Sequence, residues 1–219
     1  GSNVSNALSL STGNDKSQSY ISVATTNATG IMPNNDYDRY NFSFRNTTNF
    51  LNNKFILDTS ANYIIQNDKN MVSQGQYFNP LTSLYLFPRG EDFSDVAVYE
   101  RYDDLSGVNT QYWPYGDLGG VSSQNPYWIM NRMNRENDRR RYKLAASLQY
   151  NIIEGLNVQG RVSIDNTESK YTEKFHAGTV GNFAGPKGRY KEENRLDRQV
   201  YADVLANFNK TFNEFNVTA

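Results

Sequence analysis

The sequence predicts an all-β antiparallel chain, built either as part of a transmembrane barrel or as a soluble sandwich. Three features predict it. Apolar residues recur at every second position in segment after segment, as a pleated strand with two unlike faces requires. Apolar runs such as Tyr127-Trp128-Ile129-Met130 and Leu84-Tyr85-Leu86-Phe87 are far shorter than the ~20 residues of a membrane helix. Between the alternating segments, short and long connections take turns without exception.

Taken in order, the first segment runs from Val4 to Ser11 and is closed by Gly13-Asn14-Asp15. Ser19 to Thr26 returns with Ile21 and Val23 on one face, which makes a hairpin. Ala28 to Arg39 is a loop whose Gly30, Pro33 and Asn34 favour turns, and it leads into a strand with Tyr40, Phe42 and Phe44 on one face and Asn41, Ser43 and Arg45 on the other. Lys54 to Gln66 places Phe55, Leu57, Thr59, Ala61, Tyr63 and Ile65 together, after a short connection at Thr48 to Asn53. From Asn67 to Asn137 the alternation vanishes, and a connection of that length without structure of its own is usually functional.

Alternation returns at Arg140 to Tyr150, turns at Glu154-Gly155 and continues through Leu156, Val158, Gly160, Val162 and Ile164. A polar loop from Thr167 to Glu193 precedes a strand from Leu196 to Phe208, and after a turn at Asn209 to Asn213 an eighth, truncated strand opens at Phe215. Tight turns on one rim and extended loops on the other are the arrangement of outer-membrane barrels, with aromatic girdles where the apolar band ends. A sandwich would bury Phe42, Phe44, Leu57 and Leu144 against one another, whereas a barrel turns them to lipid.

Composition narrows function. The net charge of -1 and a sequence pI of about 5.9 give no electrostatic footprint for nucleic acid, and Arg139-Arg140-Arg141 reads as a solvated cluster. Absence of cysteine excludes disulfides and thiolate chemistry. A mean hydropathy of -0.74 beside 14% aromatics describes a wet but folded chain, since disordered segments lack aromatics. No basic and apolar leader is visible at the start.

The turn Leu8 to Asp15, the loop Gly30 to Arg39 and above all Asn125-Pro126-Tyr127-Trp128 resemble, in this order, the barrel region of SusC/RagA-type TonB-dependent transporters. The resemblance implies that residues 1–219 are an antiparallel transmembrane β-barrel segment, with no plug domain present and with an extracellular loop at about 67–137. Barrels of that type have about 22 strands. It further implies a place in the outer membrane of a Gram-negative bacterium, import of a bulky oligosaccharide or peptide, a SusD-like lipoprotein lid, and TonB as energising partner. No enzymatic activity, cofactor or metal is expected.

Candidate chemistry is sparse. His176, the sole histidine, stands in a polar loop with no nucleophile elbow nearby. The acidic groups Glu91-Asp92, Asp95, Asp103-Asp104 and Glu192-Glu193 have no fixed carboxylate separation and no calcium-loop spacing. Gly116 to Gly120 and Gly181 to Gly188 lack the strand-to-helix context of a phosphate site. Candidate ligand contacts are therefore the aromatics Tyr112, Trp113, Tyr115, Tyr127 and Trp128, whose rings offer rigid stacking area for sugars or peptide side chains. For Tyr127 and Trp128 an architectural role is the stronger expectation, and for Tyr112, Trp113 and Tyr115 both roles stay open. Arg141, Lys143, Gln149, Asn157, Gln159 and Arg161 are candidates for a polar inner face. The alternative from another class is an extracellular sandwich binding carbohydrate through Tyr112 to Tyr115, and a third is an adhesive surface protein.

Overall fold

The structure, a computed structural model, describes residues 1–73, 75, 77–115, 124–212 and 215–218, so the Gly116 to Gly120 run and Asn213 lie outside the described residues. Four strands open the chain: β1 (Ser2–Gly13), β2 (Ser17–Thr29), β3 (Asp36–Phe50) and β4 (Phe55–Lys69). There follow a helix α1 (Pro80–Leu86), a 3₁₀ turn at Phe93–Ala97, a small hairpin of β5 (Glu100–Asp103) and β6 (Val108–Gln111), and a helix α2 (Pro126–Arg132). The strands β7 (Met133–Ile153), β8 (Leu156–Phe175), β9 (Arg189–Phe212) and β10 (Phe215–Thr218) complete the chain.

Eight strands form one antiparallel sheet in the order β1-β2-β3-β4-β7-β8-β9-β10, each beside its predecessor, with β5-β6 as a separate pair. It is an open segment and not a closed barrel. No second sheet covers it among the described residues, so the sandwich does not form.

The strands run further than alternation predicts. The connection expected over 67–137 gives up both ends to β4 and β7 and is itself folded into two helices, a 3₁₀ turn and a hairpin. The loop expected over 167–193 shrinks to residues 176–188. Apolar alternation reports a strand only where one face meets an apolar medium. Beyond that zone β7, β8 and β9 are polar on both faces, as in Asn134 to Arg141, yet the backbone ladder continues.

Register assembles the two faces. Leu10, Ile21, Phe44, Ala61, Leu144, Ile164 and Val200 are directly opposed from strand to strand, giving one apolar row across seven strands. On the same face Tyr40, Tyr63 and Tyr142 stand toward one end, and Phe50, Phe55, Tyr150 and Phe208 toward the other. Phe55 and Tyr150 stack with centroids 4.7 Å apart. The span from Tyr142 to Tyr150 on β7 agrees with the 9–11 residues a tilted strand needs to cross a bilayer. Among the described residues nothing packs on this face: Leu8 is 77% and Val204 75% exposed.

The opposite face is polar and laced by cross-strand ion pairs, diagonal for Arg45 with Asp58 at 2.7 Å and Arg141 with Asp165, and directly opposed for Arg161 with Asp203. Lys143, Gln149, Asn157 and Gln159 share it.

The two rims differ as the connection lengths require. At the lower rim lie the tight turns, residues 14–16, 51–54 and 154–155. Asn14 builds the first by accepting the N–H groups of Lys16 and Ser17, both at 2.9 Å. Each turn is then stitched to the next strand over: Asn49 donates its N–H to the Lys16 carbonyl at 2.7 Å, Asn151 to Lys54 at 2.9 Å, and Asn209 to Gly155 at 2.6 Å. Gly155 has φ +82°, and a Cβ there would sit 2.2 Å from the Asn209 carbonyl oxygen. By contrast, a Cβ at Gly160 would meet nothing within 4 Å. Gly155→Ala is therefore expected to destabilise the sheet by more than about 1 kcal/mol, and Gly160→Ala to be neutral or stabilising, in denaturant unfolding followed by far-UV circular dichroism.

Candidate functional site

The upper rim carries the folded connection between β4 and β7, referred to below as the cap. Its two helices begin alike. Asn79 accepts the Leu81 N–H at 3.0 Å with Pro80 following, and Asn125 accepts the Tyr127 N–H at 2.9 Å with Pro126 following. An Asn N-cap followed by Pro at the first helical position satisfies an orphan donor and presets φ, so both helices start where the sequence says Asn-Pro.

Asn125 organises the cap. It is 1% exposed, and its side-chain amide donates to the carbonyls of Val96 at 2.9 Å and Tyr112 at 3.0 Å while its own N–H donates to Gln111 Oε1 at 2.7 Å. One side chain thus joins the 3₁₀ turn, the end of β6 and the start of α2. Neighbouring Gln124 donates its N–H to Ser83 Oγ in α1 and its side-chain amide to the Tyr77 carbonyl. Trp128 follows at 0% exposure, packed with Ile129, Met133, Phe175 and Ala184, and its indole N–H donates to Thr179 Oγ1 at 3.3 Å. Phe78 and Phe183 close this core, with Phe78 tilted onto Phe175 at 5.7 Å and onto Phe183 at 5.0 Å. The molecule's main buried core therefore lies in the cap and not along the sheet.

Three asparagines latch the cap to the rim. Asn34, at φ +59°, donates to the Asn131 side chain at 2.8 Å and to the Met130 carbonyl at 3.3 Å. Asn35 donates to the Asn70 carbonyl at 3.0 Å. Asn70, at φ +50°, accepts the Arg135 N–H at 2.9 Å and donates to the Asn34 carbonyl at 3.1 Å. The Gly30 to Asn35 loop, expected only to turn, is also a fastening. Met133, Arg135, Glu173 and Phe175 belong to the polar face by register. Because the Arg135 guanidinium donates to Ser73 and to the Phe78 carbonyl, those two residues lie over that face and not over the apolar one.

The five candidate aromatics are split by this architecture. Trp128 is in the cap core, and Tyr127 is half-buried and stacked on Tyr99 at 6.5 Å. Tyr112 is also half-buried, with the Arg101 guanidinium 3.3 Å from its ring centroid. Trp113 meets Tyr115 edge-on at 5.3 Å, Tyr115 meets Phe87 at 4.9 Å, and Phe87 meets Phe93 at 5.2 Å. Phe87 and Phe93 thus extend the Trp113-Tyr115 cluster. Sequence reasoning missed them because they lie some twenty residues away with no alternation to tie them together.

Glu100 and Arg132 form a two-pronged ion pair, both contacts at 2.7 Å, which ties β5 to the end of α2. The Arg132 hydrogen bond holds the Glu100 carboxyl below the usual range, and Glu100 in turn raises Arg132. Partial desolvation and the Arg132 charge lower His176, with Glu100 opposing. Among the described residues no group of His, Cys, Asp or Glu is arranged to hold a metal.

No family model matches the sequence, and no curated protein matches it. Solved structures do match. The chain is similar to a chain of the RagAB peptide importer in the "closed-closed" state at TM-score 0.67 and 13% identity, covering 98% of this chain and 23% of that one. A second match, to the RagAB peptide transporter, has TM-score 0.67 and 14% identity over 97% of this chain and 23% of that one. The "open-open" state of the same importer gives 0.63 and 14%, over 96% and 22%. The likeness is one of fold, and this chain spans less than a quarter of the length of the chains it matches.

Two outcomes follow. Asn125→Ala strands two carbonyls and one N–H in a buried place, and it is expected to cost about 3 kcal/mol or more. It should open residues 67–132 to protease while the sheet's circular dichroism persists. Because Glu100 is depressed when folded, its contribution is present above the ordinary carboxylate pKa and lost as pH falls through the depressed value. Protease resistance of the β5-β6 hairpin should therefore fall in acid, and Glu100→Gln should remove that pH dependence.

Proposed function

We propose that this chain is part of the wall and external cap of an outer-membrane transporter of the SusC/RagA type, importing a bulky nutrient such as a peptide or oligosaccharide. The observation that carries the proposal is the sheet's pair of unlike faces: an uncovered apolar band bounded by aromatic rows on one side, and ion-paired polar side chains on the other. In this assignment the apolar face meets lipid, the polar face lines the lumen, the tight turns face the periplasm, and the cap in residues 67–137 lies outside the cell. Residues 1–219 then form one part of a larger barrel whose remaining strands pair with β1 and with the far edge of the sheet, since unpaired edges within lipid are not tolerated.

The fold likeness to peptide importer chains supports transport over catalysis, and peptide over glycan as first cargo to test. A lipoprotein of the SusD type would close over the cap, and TonB would supply energy from below. Phe87, Phe93, Tyr112, Trp113 and Tyr115 are the aromatics we assign to cargo contact, while Trp128, buried in the cap core, is assigned to architecture. The sandwich alternative requires a second layer over Phe42, Phe44 and Leu144, and those side chains are about two-fifths exposed or more.

Phe44→Arg, at the centre of the apolar row, is expected to destabilise the membrane-inserted barrel by about 2–4 kcal/mol, whereas Ser43→Arg on the polar face should leave insertion intact. Urea unfolding in lipid vesicles and fractionation of outer membranes read the difference. Equal tolerance of both, with a detergent-free monomer in light scattering, would overturn the assignment.

A further inference from the structure

On the polar face several cations are paired with a carboxylate. Arg45 meets Asp58, Arg141 meets Asp165, Arg161 meets Asp203, Arg189 meets Glu173 and Lys191 meets Glu193. One cross-strand row departs from this. Arg39 opposes Gln66, Gln66 opposes Arg139, Arg139 opposes Ser169, and Ser169 opposes Arg195. The row holds three arginines and no acid. Arg39 and Arg139 are exposed and make no ion pair among the described residues, Arg139 donating only to Ser169 Oγ at 3.4 Å. Arg195 is held by Asp197 at 2.8 Å on its own strand, with both side chains more than half exposed, so that contact is exchangeable with solvent. The nearest acid on the diagonal, Asp68, accepts from the Gln66 and Asn137 amides instead.

We propose that Arg39, Arg139 and Arg195 form a carboxylate-binding row that receives an extended acidic peptide just beneath the cap. The proposal deepens the transporter assignment and rests on it. The three arginines stand on every second strand, so their backbone positions are about 9.6 Å apart, close to the ~9.3 Å turn of a peptide in the extended polyproline II form, in which every third side chain falls on one face. A guanidinium fork matches a carboxylate in two parallel hydrogen bonds, which a solvated lysine does not. Gln66 and Ser169 between the arginines offer an amide and a hydroxyl at the level of a peptide's main chain. On β7 the row lies four residues below Arg135, whose guanidinium donates to Ser73 and to the Phe78 carbonyl, and cargo leaving the cap would reach it on the way down the wall.

The test uses the purified full-length transporter in lipid vesicles, with two fluorescent nine-residue peptides that differ only in carrying Glu or Gln at every third position. The Glu peptide is expected to bind at least about tenfold more tightly at low salt, the advantage shrinking as salt rises. Arg39→Gln with Arg139→Gln should abolish that advantage and leave the Gln peptide unchanged, and the Lys pair should restore part of it. Arg139→Gln alone serves if the double variant fails to migrate as a folded barrel on unheated gels. Equal loss for both peptides would make the row merely structural and overturn the proposal. No preference for Glu, with the Gln peptide still bound and taken up, overturns the row but leaves the transporter standing. An acidic oligosaccharide with the same arginine dependence would overturn the peptide assignment. Failure of the wild-type chain to insert in membranes, with neither peptide bound, overturns both.

Discussion

The whole structure depends on a backbone ladder that has no second layer to lean on. In most sheets, burial of side chains against another sheet or a helix decides register and supplies much of the stability. Here the apolar face is uncovered over seven strands, and the inter-strand hydrogen bonds, cross-strand side-chain contacts and ion pairs must define the sheet until a surrounding medium covers it. That constraint explains why the largest buried cluster sits at one rim. Trp128, Met133 and Phe175 find partners there because the cap, unlike the wall, folds back on itself.

The cap is held by amides more than by apolar mass. Asn125 satisfies carbonyls from two separate elements, and Asn34, Asn35 and Asn70 exchange hydrogen bonds between the rim and the cap. Asparagine suits this work. It tolerates left-handed backbone, as at Asn34 and Asn70, and offers donor and acceptor at once. The cap can thus be irregular in outline and still fixed in place.

Much of the wall was legible in the sequence. Seven of the eight strands are marked by period-two patterning and the eighth by the turn before Phe215, and the paired faces follow once Phe44, Ala61 and Leu144 are placed in register. The strand ends were not legible. From Asn134 to Arg139 on β7, and from Asn166 onward on β8, both faces are polar, so no alternation exists to be read. The cap's helices carried a signal that went unread, the repeated Asn-Pro at positions 79–80 and 125–126. The fastening by Asn34 and Asn70 was out of reach, because their partners are 36 to 97 residues away in sequence. For the same reason the sequence shows Arg39, Arg139 and Arg195 as three unrelated arginines, and only register makes them neighbours.

The stitched lower rim has a consequence for how such a chain can change over time. Each tight turn is tied through Lys16, Lys54 or Gly155 to an asparagine on the next strand, so the rim has no slack. A single inserted residue there would slip one strand by one position and turn its Phe44-type row to the polar side. The other rim ends in connections of unequal length that already absorb helices, a hairpin and a loop of glycines. Variation in length is therefore admitted at one end of the sheet and refused at the other, and the upper connections can change without disturbing the register of the strands.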